Sequence, residues 1–319
     1  MNKRSLSNGR ASGWDAYWKQ GESMKLAIWI CGLVFISIGG VAVAGDSYDH
    51  CTGFIDSVPA TISTQGTWCL KKDLSTAVTS GSAINIAVNN VTIDCKGFKL
   101  GGLAAGAATT AFGISSSGRL NSSVRHCNIR GFFSGISFSG SGGGHLVEAN
   151  RFDSNTRQGI RIDGDGSMVR NNLIVATGGS VDPEFRGIAE GIYVGEGDVD
   201  IIDNTIAGVS PEVGNFGSSS AVGIEYDSGG GVISRNRIRG LAPDPGGDQS
   251  AVAINVSVHV NENSRALISE NHLVGEGVPG YAYGVTCTSP FVVLRDNTVA
   301  GFSFLETNCT DGGGNFLGN

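Results

Sequence analysis

The chain has 319 residues, of which 50 are glycine and only 16 % are charged, and its formal net charge is −7. A glycine share about twice the average, with so little charge, favours short buried strands and turns over amphipathic helices. The acidic balance argues against a nucleic-acid partner, whose phosphates require clustered positive charge.

The N-terminal region predicts export. An uncharged apolar run over 26–43 follows Lys25 and ends in Ala-Val-Ala at positions 42–44. This pattern predicts a signal peptide over 1–44, with 1–23 compatible with a mis-assigned upstream start, because Met24 directly precedes Lys25. The mature chain would begin at Gly45 in a secreted or periplasmic bacterial protein, without membrane contact after cleavage. An uncleaved anchor is the alternative, since the run is nearly long enough to span a bilayer.

Cleavage makes the acidic balance stronger. It removes five basic and two acidic residues from totals of 22 and 29, which leaves 17 and 27 and a net charge of −10. The last lysine of the chain is Lys99. This limits the bases available to any catalytic site further along.

An internal repeat dominates the rest of the chain. Four sixteen-residue stretches, starting at Gly159, Gly191, Gly223 and Gly284, align without a gap. Each holds a short alternating strand, a Gly/Asp/Ser turn, a second strand and a recurrent polar position. Three further copies, with small changes in length, start at Gly113, Gly135 and Ala253, and a degenerate copy lies near Ala83. The recurrent position is asparagine in six copies and Cys127 in the first full copy; the asparagines are Asn150, Asn172, Asn204, Asn236, Asn271 and Asn297.

The period of the repeat indicates the fold. Successive starts lie 22 to 32 residues apart, and the shortest spacings leave no room for a strand with a crossover helix. A coil of three short strands fits, with inward aliphatic side chains stacked in columns and the asparagines in a hydrogen-bonded ladder. We therefore predict an all-β chain: a single right-handed parallel β-helix of about eight coils over 83–319, behind an N-terminal cap over 45–82.

The glycine–isoleucine starts and the asparagine–x–aliphatic ends resemble the parallel β-helix repeats of the pectate-lyase-like superfamily. The segment VTIDCKGFKLGG (91–102) is similar to the first coil of many such bacterial proteins. The resemblance covers residues 83–319. It implies the fold but no single activity, because this fold hosts lyases, hydrolases, epimerases, phage tailspikes and adhesins.

Six cysteines of the exported chain predict disulfides, because none has the C-x-x-C spacing of a zinc site. Cys51 and Cys69 would staple the cap. Cys287 and Cys309 are 22 residues apart, one uninserted coil, which places them one above the other within disulfide reach. The remaining two, which fall in neighbouring coils, either pair or are buried separately; they are Cys95 and Cys127.

Extra length is confined to one corner of the coil, in four consecutive connections at about 175–190, 207–222, 239–252 and 274–283. Loops inserted on one face of a solenoid often form its binding surface, and tolerated decoration of a turn is the alternative. The third and fifth residues of the following strands face outward, because the second and fourth face the core. The resulting strip of candidate site residues comprises Arg161, Asp163, Tyr193, Glu225, Asp227 and Asn255.

The strip suits carbohydrate. Tyr193 offers a flat face for a sugar ring, and Glu196 and Asn255 are expected to contribute polar contacts to the substrate. Candidate catalytic groups are Asp163, Glu225, Asp227 and Arg161. Simple solvation of an exposed strand is the alternative for each of them.

Two enzyme chemistries are consistent with these residues. Backbone geometry separates Glu225 from Asp227 by about 6.5–7 Å, and Asp163 from Asp227 by about 9–10 Å, which suits an inverting glycoside hydrolase better than a retaining one. A polyuronate lyase would need Arg161 as its base and Ca²⁺ held by the carboxylates. The sequence lacks the paired-aspartate, His-Gly and Arg-x-Lys motifs of the best-known β-helix hydrolases. The hypothesis is an exported β-helix that binds a polysaccharide, with cleavage as its enzymatic form; a non-enzymatic surface or periplasmic adhesin or scaffold is the alternative.

Overall fold

The computed structural model describes residues 47–318, with gaps at 213–216, 228, 245–247, 258–264 and 278–280. The predicted signal peptide over 1–44 lies outside the described residues. Among those described, the single helical element is a three-residue 3₁₀ turn at Leu103–Ala105, and no helix is long and apolar enough to cross a membrane.

Three parallel sheets surround one core, and neighbouring strands in each sheet come from successive coils. The eleven strands of sheet A are Gly53–Phe54 (β1), Gly66–Cys69 (β3), Val91–Asp94 (β6), Ser122–Arg125 (β9), Leu146–Glu148 (β12), Ser167–Arg170 (β15), Val199–Ile202 (β18), Gly231–Ser234 (β21), Ala266–Ser269 (β24), Val292–Arg295 (β27) and Thr310–Asp311 (β30).

The ten strands of sheet B are Ala60–Ile62 (β2), Ser82–Ile86 (β5), Phe112–Ser117 (β8), Ser134–Ser139 (β11), Gln158–Ile162 (β14), Ile188–Val194 (β17), Ser218–Tyr226 (β20), Asp248–Val256 (β23), Tyr281–Cys287 (β26) and Phe304–Thr307 (β29). The ten strands of sheet C are Leu74–Ser75 (β4), Lys99–Gly101 (β7), Asn128–Arg130 (β10), Arg151–Asp153 (β13), Leu173–Thr177 (β16), Thr205–Val209 (β19), Arg237–Leu241 (β22), His272–Val274 (β25), Thr298–Ala300 (β28) and Phe316–Gly318 (β31).

From β2 onward the chain visits sheets B, A and C in turn, so ten coils stack in the described region. The predicted parallel β-helix is confirmed, with two more coils than the sequence indicated. One of them lies in the predicted cap: β2, β3 and β4 pair with β5, β6 and β7, so the solenoid begins at Ala60 rather than at residue 83. Only the segment before Ala60 remains as a cap, and its strand β1 pairs with β3 at the end of sheet A.

Inward aliphatic columns form the core. Ile160, Ile192 and Ile224 lie in register on adjacent strands of sheet B and are completely buried. A column of this kind removes the same apolar surface from water in every coil. This burial contributes about 25 cal/mol of folding free energy per Å² of apolar surface. The core therefore explains why an aliphatic residue recurs at this position of the repeat.

The predicted asparagine ladder occupies the corner between sheets A and C. The side-chain amide of Asn172 donates to Oδ1 of Asn204 at 3.0 Å, and the backbone N–H of Asn172 donates to the same oxygen at 3.0 Å. This pattern repeats from Asn150 to Asn297 and continues to Asn315, one rung beyond the predicted set. The ladder thus provides hydrogen bonds for buried polar groups at a bend where the strands of the sheets do not pair.

The residue before each ladder asparagine makes the bend. Asn171, Asp203 and Arg235 have positive φ values of 55°, 58° and 54°. A non-glycine residue in this left-handed conformation costs roughly 1–2 kcal/mol. The adjacent ladder hydrogen bonds offset that cost, which explains why the bend tolerates residues other than glycine.

Three disulfides join the six cysteines. Cys51–Cys69 and Cys287–Cys309 pair as predicted, with Cα separations of 5.8 and 5.2 Å. The other two cysteines, for which pairing and separate burial were both open, form a third bond with a Cα separation of 4.7 Å; they are Cys95 and Cys127.

The four long connections differ from the prediction. Their last residues are not loop but strand, because β17, β20, β23 and β26 are seven to nine residues long and begin well before the repeat glycine. The extra length therefore widens sheet B. Strand pairing satisfies the backbone of these residues, which an open loop would leave to water.

Candidate functional site

The outer face of sheet B carries the predicted strip in one column. Arg161 pairs in register with Tyr193, Tyr193 with Glu225, and Glu225 with Asn255. The column then continues to Thr286. Their predicted alignment is confirmed, whereas their predicted roles stay predictions.

The centre of the strip is a pair of carboxyl groups. Glu225 and Asp227 lie two residues apart at the end of β20, and the Asp227 charge acts on Glu225. The Tyr193 hydroxyl donates to Asp227 Oδ2 at 2.7 Å, and Asn255 Nδ2 donates to Glu225 Oε1 at 2.6 Å. Thr286 in turn donates to Asn255 Oδ1, which extends the network to the next coil.

The expected separation of about 6.5–7 Å between Glu225 and Asp227 follows the backbone rise of one strand and stays a prediction. The two carboxyl groups nevertheless act as one electrostatic unit, because the Asp227 charge raises the pKa of Glu225.

The environment keeps Glu225 protonated near neutral pH. Burial, and after it the neighbouring Asp227 carboxylate, raises the pKa of Glu225 to about 8, although the hydrogen bond from Asn255 acts in the opposite direction. Burial and the hydrogen bond to Asp227 likewise raise the pKa of the Tyr193 phenol. Glu225 is therefore an acid that keeps a transferable proton near neutral pH.

Asp163 lies two strands away from Asp227 on the same face. Its Oδ1 accepts a hydrogen bond of 2.9 Å from the Gly195 N–H, and Arg161 Nη2 lies 3.7 Å from its Oδ2. Burial raises the pKa of Asp163, while the Arg161 charge acts against that rise. The Arg161 guanidinium also lies 5.2 Å from the centre of the Tyr193 ring, a cation–π contact that connects the two ends of the strip.

A fourth acidic group, Glu190, was not predicted from the sequence. It is buried beside the strip, where Gln158 Nε2 donates to its Oε2 at 2.5 Å and Arg157 Nη2 lies 3.7 Å from its Oε1. Burial raises its pKa, and the Arg157 charge opposes the rise. Its charge acts on both Glu225 and Asp227, so it belongs to the same electrostatic site.

The repeat glycine explains why Glu190 was missed. A Cβ on Gly191 would lie 2.7 Å from the core atom Cγ2 of Ile206 and 2.6 Å from the Gly223 carbonyl oxygen. Gly191 and Ile192 therefore both face inward, which breaks strict alternation and turns the preceding residue outward. The signal was present in the sequence as a polar residue before the glycine in two adjacent copies, Gln158 and Glu190.

An aromatic pocket adjoins the acidic cluster. It has a volume of about 290 Å³, and its walls include Phe133, Phe185 and Tyr193, with Arg157 and Arg161 at its polar side. The Phe133 and Phe185 rings pack edge to face at 4.9 Å, and the Arg157 guanidinium lies 4.9 Å from the centre of Phe185. Apolar walls with a few directed polar groups are typical of small-molecule and sugar sites.

Glu196 lies at the edge of the strip and not in its network. It is exposed in the turn after β17, and its charge contributes to the raised pKa of Asp163. We therefore place it as a peripheral residue.

The described residues do not fit the Ca²⁺ site that the lyase hypothesis requires. The one group of three ligand-type side chains found close together there is His50, Cys51 and Cys69, and the two sulfurs of that group are joined in a disulfide. On the strip, Glu225 retains a proton and Asp163 has an arginine partner. Calcium instead requires several ionised oxygens converging on one point.

The sequence matches no protein-family model. It also matches no curated protein. Among solved structures, it is similar to a double mutant of the tailspike protein of E. coli bacteriophage HK620 in complex with a pentasaccharide, with 11 % identity, a TM-score of 0.42, and coverage of 83 % of this chain and 55 % of the tailspike.

It is also similar to the A-module of the Azotobacter vinelandii mannuronan C-5 epimerase AlgE6, with 15 % identity, a TM-score of 0.38, and coverage of 84 % and 80 %. The chain thus spans about half of the tailspike. These likenesses concern the fold alone.

Proposed function

We propose that the outer face of sheet B binds a polysaccharide and hydrolyses one of its glycosidic bonds. The observation that carries the proposal is Glu225, a half-buried acid whose pKa is raised to about 8 and which lies beside Asp227 near an aromatic pocket. A carboxylic acid that keeps its proton at neutral pH is what glycosidic oxygen requires as a general acid.

In this proposal Glu225 protonates the leaving oxygen, and Asp163 removes a proton from the attacking water. The donors to the pair, the Tyr193 hydroxyl and the Asn255 side-chain amide, stabilise the negative charge then left on Asp227 and Glu225. Two strand spacings separate the coils of Asp163 and Glu225, and the two residues are also offset by two positions along the strand, which gives about 11–12 Å between equivalent atoms. That separation leaves room for water and is too wide for the closely spaced carboxyl groups of retention.

A lyase receives less support. Its base would be Arg161, whose guanidinium lies beside the Asp163 carboxylate and over the Tyr193 ring. An anion and an aromatic face both stabilise the charged guanidinium and so oppose its loss of a proton.

A non-enzymatic surface or periplasmic β-helix, acting as an adhesin or scaffold, is the second candidate. The observation in its favour is that the acidic groups already have protein partners: Asn255 for Glu225, Tyr193 for Asp227 and Gly195 for Asp163. A network of this kind would also hold a rigid binding surface without turnover. In either case we propose a secreted or periplasmic location in a bacterium, which the three disulfides support.

The test is a polysaccharide screen on residues 45–319, with and without Ca²⁺, that follows binding, new reducing ends and new unsaturated ends separately. New reducing ends that do not depend on Ca²⁺ support the hydrolase. Unsaturated ends would support the lyase instead. Binding without new ends would favour the second candidate, and the absence of binding to any glycan would contradict a carbohydrate function.

A further inference from the structure

The outer face of sheet B carries a second feature toward the C-terminal end of the described chain. Tyr281, Tyr283 and Phe304 form a stack of nearly parallel rings, which we call the aromatic platform. The centres of Tyr281 and Tyr283 are 6.4 Å apart with planes 9° apart, and those of Tyr283 and Phe304 are 4.9 Å apart with planes 18° apart. Tyr281 is 60 % exposed and Phe304 is 45 % exposed, so the platform is open to solvent.

The strand register links the platform to the acidic cluster. Glu190 aligns with Val222, Val222 with Val252, and Val252 with Tyr283 and then Phe304. Tyr283 precedes Gly284, whose added Cβ would lie 2.2 Å from the core side chain of Val299. The same glycine kink that turns Glu190 outward therefore turns Tyr283 outward.

The distance between the two features suits a chain of sugars. The coil of Tyr283 lies two strand spacings beyond that of Glu225, and the coil of Phe304 lies three beyond it, which is about 10 and 14 Å. A sugar ring in an extended polysaccharide is about as long as one coil spacing. From Arg161 to Phe304 the face thus offers room for about five consecutive sugars.

We propose that the aromatic platform is a remote sugar-binding subsite, which holds the same polysaccharide two to three sugars beyond the bond at Glu225. Aromatic rings pack against the apolar C–H face of a sugar, and the phenol hydroxyls of Tyr281 and Tyr283 can bond its hydroxyl groups. The subsite makes binding depend on chain length and directs cleavage to internal bonds. This inference rests on the proposed function.

The experiment compares the wild type with the double variant Tyr281→Ala/Phe304→Ala. The probes are short and long fragments of alginate, polygalacturonate, xylan and bacterial O-antigen polysaccharide, and affinity is measured by titration calorimetry. We expect the double variant to bind long fragments about tenfold more weakly, with an unchanged affinity for short ones. Phe316→Ala is the control, because Phe316 is also an exposed phenylalanine of the last coil but lies in sheet C.

Thermal unfolding of all variants excludes a loss of fold. Equal affinities of the double variant and the wild type for long fragments would overturn the platform and leave the proposed function intact. A loss of affinity for short and long fragments alike would also overturn it, since a remote subsite touches only long chains. If the wild type binds none of the probes, the proposed function and the platform both fail.

Discussion

The corner between sheets A and C and the outer face of sheet B are built from the same ten coils, but their side chains vary in opposite ways. At the corner, asparagine follows asparagine from Asn150 to Asn315, and each repeats the bonds of the previous one. On the outer face, the register column changes at every coil: Arg161, Tyr193, Glu225.

This difference separates stability from function within one repeat. Stacking brings like positions together at about 4.8 Å, so the amides of a uniform column can hydrogen-bond to one another. On a face with an arginine, a phenol and two acids, the polar groups find partners only in specific pairs, such as Tyr193 with Asp227. We therefore expect substitutions at the corner to affect folding and substitutions on the outer face to affect activity.

The largest expected effect is the loss of Glu225 as an acid. Glu225→Gln keeps the shape and the hydrogen bond from Asn255 but removes the transferable proton. We expect hydrolysis to slow by about 10²–10⁴-fold, the usual contribution of general acid catalysis. Initial rates of reducing-end release from the polysaccharide identified in the screen provide the measurement.

Glu196→Gln is the matched control for this change, because Glu196 is exposed at the edge of the same strip. We expect it to change the rate by about threefold or less. Equal losses in the two variants would contradict a specific role for Glu225 and would make the outer face a surface of distributed charge.

The next effect in size is on folding. Asn204→Ala removes two hydrogen bonds that its Oδ1 accepts from Asn172. It also removes three that its Nδ2 donates, to Val169 O, Ile202 O and Asn236 Oδ1. Because the partners stay buried, we expect the free energy of unfolding to fall by about 3 kcal/mol or more. Urea unfolding followed by circular dichroism measures it.

Asn315→Ala at the end of the ladder is the comparison. Asn315 accepts two hydrogen bonds from Asn297 and donates to Leu294 O and Asp311 Oδ1. Because it is only partly buried, water can replace these bonds, and about 1 kcal/mol is expected. A larger loss at Asn315 than at Asn204 would mean that the corner does not act as a uniform ladder.

The two regions also differ in how far the sequence predicts them. The ladder, the outward column and the Cys287–Cys309 pair follow from the period alone, because stacking converts sequence spacing into neighbours in space. Glu190 does not follow, since Gly191 and Ile192 both face the core and break the alternation. The raised pKa of Glu225 does not follow either, because it depends on the burial of its side chain and not on the repeat.

The predicted loops fail for a related reason. The sequence shows that residues are inserted at this corner. The conformation of the inserted residues depends on whether they pair with the neighbouring coil, as Ser220 pairs with Ser250. Period-2 alternation is weak in these glycine- and serine-rich segments. Where neighbouring coils all carry insertions, the inserted residues of one coil can pair as strands with those of the next, and sheet B widens.

The free energy of unfolding should depend on pH through the raised pKa of Glu225 on the outer face. Glu225 loses its proton near pH 4.5 when unfolded and near pH 8 when folded, so the folded state binds the extra proton between these values. Stability from this group is complete below the unfolded pKa and is lost as the pH rises through the folded pKa. We expect the wild type to lose about 2 kcal/mol relative to Glu225→Gln between about pH 5 and pH 9, after allowance for partial exposure.

Urea unfolding of the two proteins across this pH range measures the difference. Asn204→Ala serves as the control, because an amide does not titrate and its deficit relative to the wild type should stay constant with pH. Parallel pH curves for the wild type and Glu225→Gln would contradict the raised pKa of Glu225 and, with it, the proposed acid.

The smallest expected effect comes from Tyr193→Phe. The change removes the 2.7 Å hydrogen bond to Asp227 and keeps the ring that stacks on Arg161. Asp227 then has one donor fewer for its negative charge, so the pair holds its proton more tightly and the alkaline limit of activity moves up by about half a pH unit. The free energy of unfolding should fall by about 1 kcal/mol. The pH–rate profile measures the first change, and a downward shift of the alkaline limit would mean that Tyr193 does not stabilise the ionised pair.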